Sequence, residues 1–272
     1  MRVQWAKCFF RPTAFRLDLP ERPTLAMINE YLDSTDCPLS QVIVSPENMG
    51  NMKMLRMLAC DVLQKYDHNC HGKNFAIYSG PGQGKTYLVR KWAETIGIPF
   101  VFIQSDALAS TEMLLKAIIK TFDEMYDKEP GFTIRELGRG NYLIPPCIVF
   151  FDEAHALASN LMEGALLNAM EHNDGIMTIM TGNGKQSKIL TVNCRNICWI
   201  GATTEEGTLF PAFAQRLETT ILYHPAGATE IAKMVRLHHP DMPTNAANLV
   251  AHYHHVPRQA MTFARHIKTY RE

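Results

Sequence analysis

The chain has 272 residues, 46% of them hydrophobic, with 27 basic and 27 acidic side chains and therefore no formal net charge. That is ample for a packed core, and the charge balance excludes a whole-chain electrostatic grip on nucleic acid while leaving local patches open. Seven cysteines without a CxxC pair, no signal-type apolar run in MRVQWAKCFFRPTAF and no stretch near the ~20 apolar residues that span a bilayer point to no membrane and a reducing, cytoplasmic setting.

Residues 1–45 read as an irregular N-terminal extension, punctuated by prolines at 12, 20, 23 and 38. Its basic residues, interleaved with Trp5, Phe9, Phe10 and Phe15, suit nucleic acid or, better, docking on a neighbouring subunit, because aromatics need burial. Ser45-Pro46 then offers a cap and a first-turn proline for a helix through KMLRMLACDVL. FAIY (75–78) reads as a buried strand, SGPGQGKT (79–86) as a glycine-rich turn, and LVRKWAETIG as a helix ended by Gly97. PFVFIQ (99–104) is a second buried strand, 110–126 an amphipathic helix, and 129–146 a loop-rich interruption. CIVFF is a third strand, DEAHAL follows it, and SNLMEGALLNAMEH reads as a helix. Residues 175–192 alternate around Gly182-Asn183-Gly184 as a hairpin does, and ICWIGATT is a fourth buried strand. From about residue 225 only helical segments remain. Strands alternating with helices, then helices alone, predict an α/β domain over 46–224, with a parallel sheet flanked by helices, and a small helical lid over 225–272.

Two motifs carry chemistry. Ser79, Gly80, Pro81, Gly82, Gln83, Gly84, Lys85 and Thr86 fit a P-loop, with Ser79 where the first glycine usually stands. The glycines let backbone N–H groups turn inward around phosphate oxygens, Lys85 reaches the terminal phosphates of ATP, and the Thr86 hydroxyl binds Mg²⁺. Asp152 and Glu153 close a buried strand as a Walker B pair, Asp152 for the Mg²⁺ shell and Glu153 to polarise the attacking water. Together they predict ATP hydrolysis. DEAH also names a helicase superfamily, but that class needs a second motor domain, which the residues after 160 do not hold; His155 reads better as a helix-start or coupling residue. DHNCH (67–71) and HYHH (252–255) lack a second ligand pair at zinc spacing.

IGATTEEGTLFPAFAQRLETTILYHP (200–225) resembles the sensor-1 and arginine-finger region of the RuvB-type Holliday-junction motors among the AAA+ ATPases. FFDEAHAL, LLNAMEH and IMTGNGKQSKI precede it in that family's order, HVPRQAMTFARHI follows as its sensor-2 helix, and SPENMGNMKMLRML resembles the helix after its adenine-contacting segment, to which Ile43 and Val44 would belong. The resemblance covers most of residues 40–270 and implies sensor 1 at Thr204, a finger acting on the neighbouring subunit at Arg216, and sensor 2 at Arg258. It also implies a homo-oligomer, ring or helical, with a hexamer expected, and a hairpin that in this branch docks a junction-binding partner protein; Lys185 and Lys188 at its tip suit phosphate or an acidic surface. Glu205 and Ala214 stand where the family commonly has arginine, 127–146 lengthens the segment before Walker B, and the chain ends near sensor 2 without room for the DNA-touching winged helix. Three functions are therefore expected: a motor on DNA in recombination or replication, a loader or regulator that remodels proteins, or a slowly hydrolysing scaffold.

Overall fold

The computed structural model describes residues 23–65, 70, 72–126, 134–138, 140–157, 164–171, 175–181, 188–204 and 209–269. Five parallel strands form the central sheet: β1 (Phe75–Tyr78), β2 (Phe100–Gln104), β5 (Cys147–Asp152), β8 (Ile197–Thr203) and β9 (Thr219–Leu222), in spatial order β2-β5-β8-β1-β9. Successive side chains leave opposite faces of a strand, and both faces are covered. Ile148 and Phe150 join Phe75, Ile77 and Ile200 against α1 (Leu25–Asp33), α2 (Met49–Leu63) and α3 (Lys85–Ile96). Val149 and Phe151 join Trp199 and Val101 against α4 (Thr111–Tyr126). The continuous apolar runs of β5 and β8 follow from burial on both sides. Trp92 of α3 is fully buried, edge-on to Phe75 at 5.7 Å, and donates its indole N–H to Leu55 O at 2.9 Å, locking α3 between the sheet and α2.

The structure departs from the sequence reading in four places. Residues 25–33, read as irregular, form α1, capped by the Thr24 hydroxyl accepting from Met27 N–H at 3.3 Å, with Ile28, Tyr31 and Leu32 in the core. Its flanking prolines delimit the helix and do not interrupt it, and three buried positions in nine residues are too few to stand out as a period. Residues 129–146, read as a loop-rich interruption, contain β3 (Arg135–Gly138) and β4 (Asn141–Leu143). These join β6 (Ile176–Thr181) and β7 (Lys188–Asn193) in a second, four-stranded sheet of order β3-β4-β7-β6. Strand β4 runs parallel to β7 (Asn141↔Thr191), a long-range pairing that no local pattern reveals. The hairpin itself is present, with Met180 opposite Ile189, while its tip at 182–187, including Lys185, lies outside the described residues, as does the side chain of Lys188. Strand β2, read as buried, is an edge with alternating burial and Phe102 open to solvent, and β9, the other edge, was not read as a strand at all. Asn51 Nδ2 donates to Leu222 O at 2.7 Å and Asn48 Nδ2 to His224 O at 2.8 Å, so α2 and its approach cover that edge.

Three helices, α5 (Ala228–His238), α6 (Thr244–Tyr253) and α7 (Pro257–Thr269), close around a separate small core that includes Ile231, Val235, Val250 and Ala260. The six described cysteines form no disulfide among themselves. Burial pushes the thiols of Cys70 and Cys194 up to about 12, which keeps them protonated and inert. No helix among the described residues is long and apolar enough to cross a membrane.

Candidate functional site

The carboxyl ends of β1, β5 and β8 converge, and the loops leaving them carry the predicted chemistry, as open parallel sheets require. From β1 the chain turns through Gly82 (φ +72°) and Gly84 (φ +94°) into α3, a backbone that glycine adopts without strain. A cleft of about 850 Å³ opens there, floored by Pro81, Gly82, Gln83, Gly84, Lys85 and Thr86 and walled by Gln104, Asp152 and Glu153. Away from the P-loop it is lined by the apolar side chains of Val42 and Ile43 before α2, Tyr223 after β9, and Met234, Leu237 and Met261 beyond it, with His238, His239 and Arg265 among them. One end therefore suits phosphates and the other a planar base.

Lys85 is buried, and its ammonium donates to the carbonyls of Ser79 at 2.9 Å and Gly80 at 3.3 Å. Burial lowers its pKa, opposed by the nearby Glu153 and Asp152 carboxylates. Asp152 is shifted the other way: burial raises its carboxyl, and the like charge of Glu153 adds to this. A carboxylate that is costly to ionise, in a cleft that also holds the Thr86 hydroxyl, is a hard-oxygen donor set that fits Mg²⁺. The same shift gives a stability prediction. A folded pKa above the unfolded one contributes stability below the ordinary Asp range and loses it as pH rises through the folded pKa. Asp152→Asn should therefore raise the melting temperature of the nucleotide-free protein at pH 7, with the gain narrowing as pH falls, while Mg²⁺-dependent turnover is lost. A melting curve unchanged at pH 7 would show that the carboxylate carries no such cost.

Glu153 has φ +50° and ψ +53°, the one positive-φ non-glycine among the described residues. Its Oε2 accepts the Thr204 hydroxyl at 3.2 Å, which brings the predicted water-polarising carboxylate and the predicted sensor together. Arg258, at the start of α7, donates its backbone N–H to Gly82 O at 3.4 Å and lies close enough to act electrostatically on both Lys85 and Asp152. Gln83 also meets the lid, its Oε1 accepting from Ala226 N–H at 3.4 Å.

Other predicted residues sit elsewhere. Ile43 lines the cleft, whereas Val44 packs on the α1–α3 side of the core; Gln41, Val42 and Tyr223 take cleft positions that the sequence reading missed. Ser79 and Gly80 contribute carbonyls to Lys85 and do not line the cleft. Arg216 lies outside its own chain's cleft. Its Nε donates to Leu167 O at 3.1 Å, Nη1 to Ala212 O at 2.9 Å, and Nη2 pairs with Glu171 of LLNAMEH, a pairing the sequence reading did not make.

Residues 75–224 match the family described as "ATPase family associated with various cellular activities (AAA)", more than half of the chain. The chain belongs to the AAA ATPase family. A RuvB-like AAA+ core is shared with relatives named Holliday junction branch migration complex subunit RuvB: one from Mycoplasma pneumoniae is 22% identical over 81% of this chain and 66% of its own length. A putative 26S proteasome regulatory subunit homolog from Methanocaldococcus jannaschii is 25% identical over 68% of this chain and 46% of its own length. The chain thus spans less than two thirds of the length of these AAA relatives. Among solved structures, the Thermotoga maritima RuvB Holliday junction branch migration motor superposes with a TM-score of 0.56 at 17% identity, covering 83% of this chain and 62% of that one. A closed-state Hsp104 structure superposes equally well, with a TM-score of 0.56 at 18% identity over 89% of this chain and 46% of the other. The AAA fold, a parallel sheet flanked by helices, and ATP hydrolysis follow from the family.

Proposed function

We propose that this AAA ATPase is a RuvB-like motor that assembles into a homo-oligomer, a hexameric ring, and uses ATP hydrolysis to act on DNA in recombination or replication. The observation that carries this reading is the reach of the RuvB relatives: similarity extends over 81% of the chain, beyond the segment common to AAA proteins. In this reading the P-loop and Lys85 hold the triphosphate, Val42, Ile43 and Tyr223 face the base, Thr86 and Asp152 hold Mg²⁺, and Arg258 contacts the nucleotide from the lid. Mg²⁺ supplies charge neutralisation on the phosphates when bound. Glu153 polarises the water, Thr204 orients the same carboxylate, and Arg216 serves the neighbouring subunit. A partner protein docking on the 175–192 hairpin fits the outward-facing pair Met180 and Ile189, 67% and 64% exposed and opposite one another on β6 and β7.

A second reading is favoured by AAA relatives outside RuvB, among them the 26S proteasome regulatory subunit homolog and a cell division control protein 48 homolog C from Arabidopsis thaliana, 29% identical over 51% of this chain and 14% of its own. There the client is a protein and ATP sets the assembly state. Steady-state ATP turnover across protein concentrations, with duplex, branched and single-stranded DNA, separates the two. Stimulation by one DNA form supports the motor and names its substrate. Turnover that rises with protein concentration yet ignores every DNA sinks the motor reading in favour of the remodeller.

A further inference from the structure

His155 stands three residues past the Walker B aspartate, in the tight 3₁₀ turn Ala154–Ala156 that follows Glu153. Ala156 N–H donates to Glu153 O at 2.8 Å, so the turn fixes the imidazole against the carboxylate. His155 Nδ1 lies 2.8 Å from Thr203 Oγ1 and 3.5 Å from Glu153 Oε2, the same oxygen that accepts the Thr204 hydroxyl. Thr203 is fully buried, and its carbonyl accepts the Ser79 N–H at 3.2 Å. One ring nitrogen therefore joins three strand ends: the P-loop entry after β1, the Walker B turn after β5 and the sensor end of β8.

The proton position follows from charge. A lone pair on Nδ1 would face a carboxylate oxygen at 3.5 Å, whereas an N–H there is attracted to it. With Nδ1 protonated, the Thr203 hydroxyl accepts and Glu153 Oε2 lies on the same donor's flank. Among the described residues the other Glu153 oxygen takes no hydrogen bond and is the one available to a water. The left-handed backbone of Glu153 adds to the need for such a clamp, because that conformation is strained for a residue with a side chain and persists only where its surroundings hold it.

We propose that His155 is a positioning residue for ATP hydrolysis: through Nδ1–H it ties Glu153 to Thr203, so that the water-polarising carboxylate and the sensor strand move as one unit. The proposal rests on Glu153 polarising the water, and Glu153→Gln tests that premise separately. His155 touches neither the P-loop backbone nor the apolar end of the cleft, so its loss acts on the rate and spares nucleotide binding.

Three variants test this by steady-state ATP turnover and by equilibrium binding of a fluorescent ATP analogue. His155→Leu should lower kcat about 10–100-fold, the range seen when a partner orienting a catalytic group is removed, with KM and affinity within about twofold. His155→Asn, whose amide N–H overlies Nδ1, should recover most of that loss. His155→Gln, whose amide overlies the other ring nitrogen, should not. Wild-type kcat in His155→Leu overturns the proposal, as does a loss of affinity that matches the loss of rate in all three. Should His155→Leu fail to fold, the comparison of Asn with Gln decides, and Gln equal to or better than Asn overturns it. If Glu153→Gln turns over normally, the premise fails instead, whatever the His155 variants do.

Discussion

Arg216→Ala should cut ATP turnover about 10³-fold or more, the scale of an arginine supplied to a phosphoryl-transfer site, while ATP binding stays intact. Binding is spared because the guanidinium lies outside its own chain's cleft, engaged with Leu167 O, Ala212 O and Glu171. The fold is spared because the ion pair is partly exposed, and such pairs contribute little to stability. Action in trans makes a sharper prediction. Mixed with Glu153→Gln, which retains its arginine but not its water-polarising carboxylate, Arg216→Ala should regain turnover at interfaces where one subunit supplies the site and the other the finger. A mixture no more active than its two components, measured over a range of ratios, would mean that Arg216 does not act on a neighbour. Arg216→Lys should not rescue, since three donors in a fixed planar fork meet three separate acceptors here.

Gly82→Ala should weaken ATP binding about 10–100-fold by two separable routes, together on the scale of 1–3 kcal/mol. At φ +72° any side chain on an L-residue is strained, by about 1–2 kcal/mol. A Cβ there would also stand 2.7 Å from Val256 Cγ1 and 3.3 Å from Arg258 Cβ. Val256 is β-branched and has little rotamer freedom with which to retreat, so the lid must shift and carry Arg258 away from the phosphates. In a double-mutant cycle, Val256→Ala should restore the steric part of the loss and leave the backbone part. If Val256→Ala restores nothing, the lid is not what Gly82 accommodates. Equilibrium titration with a fluorescent ATP analogue reads both outcomes, and a thermal melt confirms that each variant is folded.

These two predictions draw on different parts of the molecule, and they differ in how far sequence alone leads to them. Gly82 belongs to a motif whose spacing is dictated by phosphate geometry, so the residues and their order are visible in one short stretch. That the glycine also makes room for Val256, more than 170 positions later, is not visible there. Arg216 is suggested by a resemblance of motifs, and Glu171, which holds it, stands in another of them, LLNAMEH, but that the two pair is visible in neither. Ion pairs between separate elements need only proximity in space, and proximity in space leaves no period in the sequence.

The sequence by itself determined the α/β class, because it is written in local rules, apolar runs for strands buried on both faces; the P-loop, the Walker B pair and the helical lid are proposals read from rules of the same kind, glycines where the backbone turns left-handed and a carboxylate pair at a strand tip. Ile43 and Val44 came from the family resemblance alone; Ile43 lines the cleft, while Val44 belongs to the core and the cleft register falls earlier, at Gln41–Ile43. Tertiary structure alone decided the rest. It ordered the strands β2-β5-β8-β1-β9, made edges of β2 and β9, and recruited β3 and β4 into a second sheet with the hairpin. It also linked Thr203 to His155, His155 to Glu153 and Glu153 to Thr204 across the ends of β5 and β8. The physical reason is the same in each case. Pairing between strands and contact between side chains far apart in the chain are chosen by the burial of whole faces, and that choice is made by the collapsed molecule as a unit.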